Sequence, residues 1–186
     1  ARITGKPGLV VITTGPGGTN TLSGVLGCWQ DSIPMFVISG QIARRFMGAG
    51  TKVGVRQLGV QEMNIVDVAK PMVKYAAVVM DPMEIRYHLE KAWHLSTTGR
   101  QGPVWLDIPL DVQSAMIDEK KLKGFDPKEI KPDYIIDKKG ITELVKKTLE
   151  KLSKSERPVL YAGNGIRLSG ADKEFLELVN ILKIPV

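Results

Sequence analysis

One pattern restricts the fold more than any other. An apolar, β-branched run, Leu9–Thr13, leads into the glycine-rich turn "TGPGGTN". The turn opens a segment in which Leu22, Val25, Leu26 and Trp29 recur at a spacing of three and four, one face of a helix. A second run, Pro34–Ser39, follows. Strand, turn, helix, strand is a βαβ unit, and uncharged runs of this kind suit strands covered on both faces of a parallel sheet.

The alternation continues. After a glycine-bearing loop (42–60) come a short helical stretch around Gln61–Val68, a break at Pro71 and the β-branched "MVKYAAVV". Asp81, Pro82 and Glu84 then form a capping-box pattern for a helix whose buried stripe is expected at Ile85, Leu89, Ala92 and Trp93, with Gly99 as its stop. Pro103–Pro109 reads as another buried strand. Residues 1–111 therefore predict an α/β domain with a parallel sheet between two helical layers. Residues 112–137 are charged, proline-bearing and aperiodic, as a linker would be. From 138 to 186 a second α/β domain is expected to begin: a helix (Ile141, Leu144, Val145, Leu149, Leu152), a strand "PVLYAG", the turn Gly163-Asn164-Gly165, a helix (Phe175, Leu176, Val179, Leu182) and a new strand at Ile184. The opening without methionine and the close in "ILKIPV" suggest a piece of a longer protein.

Composition narrows the function classes. The single cysteine, Cys28, excludes an internal disulfide and a cysteine-based zinc cluster, and its expected place is a buried helix position. No run reaches the length of a membrane span, and no leader pattern opens the chain, so the cytoplasm is the default expectation. The net charge of +6 invites nucleic acid as a partner. However, the lysines of 120–154 are mixed with acids and lack interleaved aromatics, which fits a solvated face better. His88 and His94 are six apart, on different faces of one helix, so no metal pair forms there.

The first glycine turn has several readings. A Walker loop needs a lysine before its hydroxyl residue, and Gly17-Gly18-Thr19 has none. A dinucleotide fingerprint is matched at Gly15 and Gly17 but broken by Asn20, and the next strand ends without an acid. A tight turn using positive φ remains open, as does nucleotide binding.

Six segments in order carry a family signal: "ARITGKPG", "TTGPGGTN", "DSIPMFVISGQ", "QEMNIVD", "TTGRQGPVWLDIPLDVQ" and "RPVLYAGNGIR". Together they resemble the thiamine-diphosphate enzymes of the acetolactate synthase type. The resemblance implies most of a pyrimidine-binding domain, then the start of a middle domain. The diphosphate-binding domain, which holds Mg2+, lies outside the chain, as does a catalytic glutamate just upstream of "ARITG". By the same resemblance Gly15, Pro16, Gly17 and Asn20 line the pyrimidine pocket, Gln41 lies near the reacting centre, and Gln61 is the candidate catalytic residue. Asp31 and Ser32 would end a helix at a subunit interface. Arg100 and the turn Gly163, Asn164 and Gly165 correspond to contacts of a flavin, FAD. The implied protein is a homodimer or homotetramer acting on a 2-oxo acid such as pyruvate. Two departures, the long loop 42–60 and Val60 in place of a phenylalanine, suggest an unusual acceptor, such as a sugar-derived carbonyl. The competing classes are a non-catalytic nucleotide-binding α/β domain and, third, a nucleic-acid binder.

Overall fold

A computed structural model of the chain describes residues 1–48, 54–131 and 137–186. The chain divides into two compact units, Ala1–Lys131 and Pro132–Val186.

The first unit is built on four parallel strands: β1 (Gly8–Thr13), β2 (Met35–Gln41), β3 (Tyr75–Val78) and β4 (Pro103–Pro109). Their spatial order is β1-β2-β4-β3. The helices α1 (Pro16–Gln30) and α2 (Ile65–Ala69) cover one face. There Val25, Ile65 and Ala69 meet Val37 and Trp105 of the sheet. On the other face α3 (Ile85–Thr97) places Ala92 against Phe36, Val104 and Leu106. This is the expected three-layer α/β sandwich. Each fully buried side chain of this kind stabilises by about 1.5–3 kcal/mol relative to exposure, so β4, inaccessible on both sides, anchors the core.

Several local expectations need correction. β1 is covered on one face only: α3 sits over β2, β3 and β4, leaving Leu9 (65% exposed) and Val11 (70%) on the outer face. The stripe of α3 is also rotated. Leu89 and Trp93 point to solvent, while Ala92 and Ser96 face the sheet, because these small residues let the helix axis approach. Ser96 remains satisfied by donating to the Gly102 carbonyl at 2.8 Å. At the helix start Asp81 accepts from the Met83 N–H at 2.9 Å, as a cap should. Glu84 does not close the box; it lies 3.7 Å from His88, one turn on. Gly99 ends the helix with φ of 58°. Cys28 is half-buried rather than buried, with its sulfur 3.8 Å from that of Met35.

A short helix α4 (Leu110–Gln113) follows β4, and the residues after it stay with the first unit. Phe125 packs edge-on to Tyr87, its N–H donates to Glu90, and Tyr87 donates to Glu129. That stretch is therefore fastened to α3.

The second unit holds α5 (Lys138–Ser153), α6 (Gly165–Ser169) and α7 (Asp172–Leu182). Asp137 caps α5 by accepting from the Lys139 N–H. Neither strand expected here forms. Leu160 donates to the Pro185 carbonyl at 2.9 Å, but no ladder develops. Val159 and Tyr161 lie open to solvent, so no burial fixes a pleat. Among the described residues of this unit none is fully buried.

Candidate functional site

Parallel strands collect their loops at the C-terminal edge, where α/β sheets bind ligands. Two of those loops meet here. The β1–α1 turn passes through Gly15, whose φ of 63° and ψ of −121° lie in the mirror of the extended region, a conformation that glycine adopts freely and other residues avoid. Pro16 follows as the first helical residue, suited by its fixed φ. A Cβ on Gly15 would lie 2.5 Å from the Gln61 carbonyl oxygen and 3.0 Å from its Cβ. Gln61 itself has φ of 60°, unusual for a residue with a side chain. Two residues 46 apart in sequence thus touch backbone to backbone, and Gln61 keeps its amide exposed to solvent. Asn20, the fifth residue of α1, is exposed, and Gly17 lies against Thr13.

Beneath this contact lies a polar network. Gln41, at the end of β2, is only 4% exposed. Its amide nitrogen donates to the Met63 carbonyl (2.9 Å) and to Asp107 (2.8 Å). Its oxygen accepts from the Thr14 hydroxyl (2.9 Å) and the Ile42 N–H (3.0 Å). A glutamine amide offers two donors and two acceptor lone pairs, and all four are used. The hydrogen-bonding capacity of Gln41 is thus taken up within the protein.

Asp107, 1% exposed, receives the Ser39 hydroxyl (2.5 Å) as well as Gln41. Ser39 in turn accepts from the indole of Trp105 (2.8 Å). Burial pushes the Asp107 carboxyl above its ordinary value, and the bonds from Ser39 and Gln41 pull it back in part. Sequence reading passed over Thr14, Ser39 and Asp107. The available signal was an acid inside the otherwise uncharged "PVWLDIP".

The loop after β2 is tied at its ends. Arg44 reaches Asp111 through its backbone and guanidinium (2.9 and 2.7 Å) and donates to the Met80 carbonyl. These bonds hold the Asp111 carboxyl below the usual range, the backbone bond from Arg44 contributing most. The Glu62 carboxylate accepts from the N–H groups of Gly48, Leu58 and Gly59, which fixes the base of the loop next to Gln61. Within the long loop, residues 49–53 lie outside the described residues, and Val60 is 84% exposed.

The remaining sequence candidates lie elsewhere. Arg100 precedes β4 and donates to Ser32, before β2, at 2.8 Å. Both sit at the N-terminal end of the sheet, a strand length of roughly 20 Å from Gly15. Gly163 and Gly165 of the second unit line an open groove of about 550 Å³ with Tyr161, Ile166, Phe175 and Leu178. Among the described residues no group of three or more His, Cys, Asp or Glu converges as a metal site would require. Nor, among the described residues, is any helix long and apolar enough to cross a membrane.

Residues 1–68 match the family described as "Thiamine pyrophosphate enzyme, N-terminal TPP binding domain", and residues 145–186 match "Thiamine pyrophosphate enzyme, central domain". The chain belongs to the thiamine pyrophosphate enzyme family. It is 34% identical over its whole length to a probable acetolactate synthase large subunit of Methanocaldococcus jannaschii, covering 30% of that protein. It is 33% identical, again over its whole length, to the acetolactate synthase isozyme 3 large subunit of Escherichia coli, covering 31% of it. Over 97% of its length it is 36% identical to the chloroplastic acetolactate synthase 1 of Zea mays, covering 27% of that chain. The chain therefore spans less than a third of each of these curated relatives.

Proposed function

We propose that the full-length protein carrying this chain is a thiamine-diphosphate-dependent carboligase or decarboxylase of the acetolactate synthase type, acting on a 2-oxo acid such as pyruvate. The observation that carries this reading is the contact of Gly15 with Gln61 at the C-terminal edge of a sheet that belongs to the cofactor's own family. When bound, thiamine diphosphate supplies a carbanion equivalent and an electron sink for loss of CO2 from the 2-oxo acid.

The residues present fit the pyrimidine end of that cofactor. The turn at Gly15-Pro16-Gly17 carries little side-chain bulk, so a flat ring can approach its backbone. Asn20 and Gln61 are exposed residues whose amides each offer donor and acceptor. In this reading Gln61 orients the reacting 2-oxo acid by hydrogen bonding, and Gln41 holds the turn from below. Mg2+ belongs to the diphosphate end, outside this chain.

Flavin is a narrower proposal. The Gly163-Asn164-Gly165 turn opens on a groove with Tyr161 and Phe175 in its wall, which suits a planar ligand. For Arg100 the proposal rests on its guanidinium fork alone, which suits the polar oxygens of a cofactor. A homodimer or homotetramer and a cytoplasmic location complete the reading; exposed Leu9, Val11 and Trp93 supply the uncovered apolar surface that subunit contact would use. The long loop and Val60 support an acceptor other than a second pyruvate, of the sugar-derived carbonyl class.

The test is turnover by the full-length protein with thiamine diphosphate, Mg2+ and pyruvate. Cofactor-dependent release of CO2 supports the reading, and none with any 2-oxo acid contradicts it. Acetolactate as sole product at full turnover would refute the unusual acceptor.

A further inference from the structure

We propose that Asp107 is a positioning residue that acts through Gln41 to hold the Gly15 and Gln61 segments against each other. The proposal rests on the functional reading above only for its effect on turnover; the structural effect stands without it.

Three facts converge on one amide. Thr14 precedes Gly15, and its hydroxyl ends on the Gln41 oxygen. Met63 lies two residues after Gln61, and its carbonyl receives one Gln41 N–H. The other N–H is taken by Asp107, from a strand that touches neither segment through this network in any other way. An amide can be flipped by half a turn with little change of shape, exchanging its donor and acceptor ends. A carboxylate accepts only, so Asp107 allows one of the two orientations. In the other, the Gln41 oxygen would face the Asp107 oxygen and the Met63 carbonyl, while its N–H groups would face the Ile42 N–H. That arrangement leaves buried groups unpaired, at a cost typical of a lost buried hydrogen bond.

Asp107 is itself aimed by Ser39, and Ser39 by the fully buried indole of Trp105. The chain of bonds thus runs from the most rigid part of the core to the two loops at its edge. Gln61 occupies a backbone conformation at positive φ, which in a residue with a side chain persists only where the surroundings impose it, and Gly15 lies directly against it. Tethers at Thr14 and Met63, one on each side, are placed to do so.

The experiment compares amide hydrogen exchange in the full-length wild-type protein with Asp107→Leu, which keeps the branched shape and removes the acceptor, and with Asp107→Asn, whose carbonyl still accepts from Gln41. In Asp107→Leu, peptides covering 13–20 and 59–64 are expected to exchange about ten- to hundredfold faster, the range for one buried N–H left unpaired, with β2 and β4 unchanged. Asp107→Asn should retain most of the protection. Uniform loss across the sheet, or no change in the two segments, overturns the proposal. Should Asp107→Leu fail to fold, Gln41→Met is expected to loosen both segments and Thr14→Val only 13–20; no change in either would be equally decisive. Where turnover is measurable, the losses in kcat of Asp107→Leu and Gln41→Met should not add in the double variant. Additive losses would show that Asp107 acts by another route. If the protein has no thiamine-diphosphate-dependent turnover, the functional reading fails and the exchange measurement still decides this one.

Discussion

Replacing Gly15 by alanine puts a methyl group where Gln61 already is. The new Cβ would stand 2.5 Å from the Gln61 carbonyl oxygen and 3.3 Å from its carbonyl carbon. These are backbone atoms, so no side-chain rotation relieves the clash. To reach ordinary contact, the Gln61 peptide must retreat by roughly 1 Å. The backbone adds its own cost, since φ of 63° with ψ of −121° strains any residue bearing a Cβ, on the order of 1–3 kcal/mol. Together the two effects predict a loss of about 2–4 kcal/mol in stability. For the site the displacement matters more, because misplacing a reacting geometry by about 1 Å costs on the order of a hundredfold in rate. The measurement is a urea midpoint and kcat/KM for CO2 release from pyruvate, made on the full-length protein. Gly24→Ala on α1 is the control: a Cβ there meets nothing within 4 Å, and helix propensity predicts unchanged or slightly raised stability. A Gly15→Ala protein as stable as that control would refute the packing argument. One that is less stable but fully active per folded molecule would refute the placement of the site.

Burial holds the His88 imidazole below its ordinary value of 6.5, with the Tyr75 hydroxyl 2.7 Å from its Nδ1 and Glu84 and Lys91 nearby. The native state therefore binds fewer protons than the unfolded chain just below pH 6.5, and stability falls as the pH drops through that window. Melting curves across pH 5–8 should show that slope in the wild type and a shallower one in His88→Gln; equal slopes would contradict it. Trp105→Phe removes the indole N–H that fixes Ser39 and part of a fully buried side chain, and is expected to cost about 2 kcal/mol by denaturant unfolding. A cost near zero would show that the Ser39 network is not anchored there.

The sheet was legible because its strands are apolar runs, with Asp107 the one charged residue among them, and its turns are marked by glycine and proline. The face of α3 was legible in part: Ala92 of the expected stripe is buried, but period alone also permits Leu89 and Trp93, and the close approach made possible by Ala92 and Ser96 turns those two outward. In the second unit, "PVLYAG" has strand composition, but a strand also needs a paired neighbour, and Leu160 finds one bond. At the site, the glycines and amides were visible as residue types, while the contact of Gly15 with Gln61 depends on tertiary structure. Asp107 was hidden for the opposite reason. It sits in a strand whose neighbours read as core, and its partners Ser39 and Gln41 are nearly 70 residues away in sequence.

The most direct test of the account is to bind thiamine diphosphate to the purified full-length protein with Mg2+, remove excess by gel filtration, denature the protein and quantify what is released. Stoichiometric thiamine diphosphate in the wild type, with a clear reduction in Gly15→Ala, is the predicted result. No retained thiamine diphosphate in the wild type would contradict the claim that this chain forms the pyrimidine side of a working site.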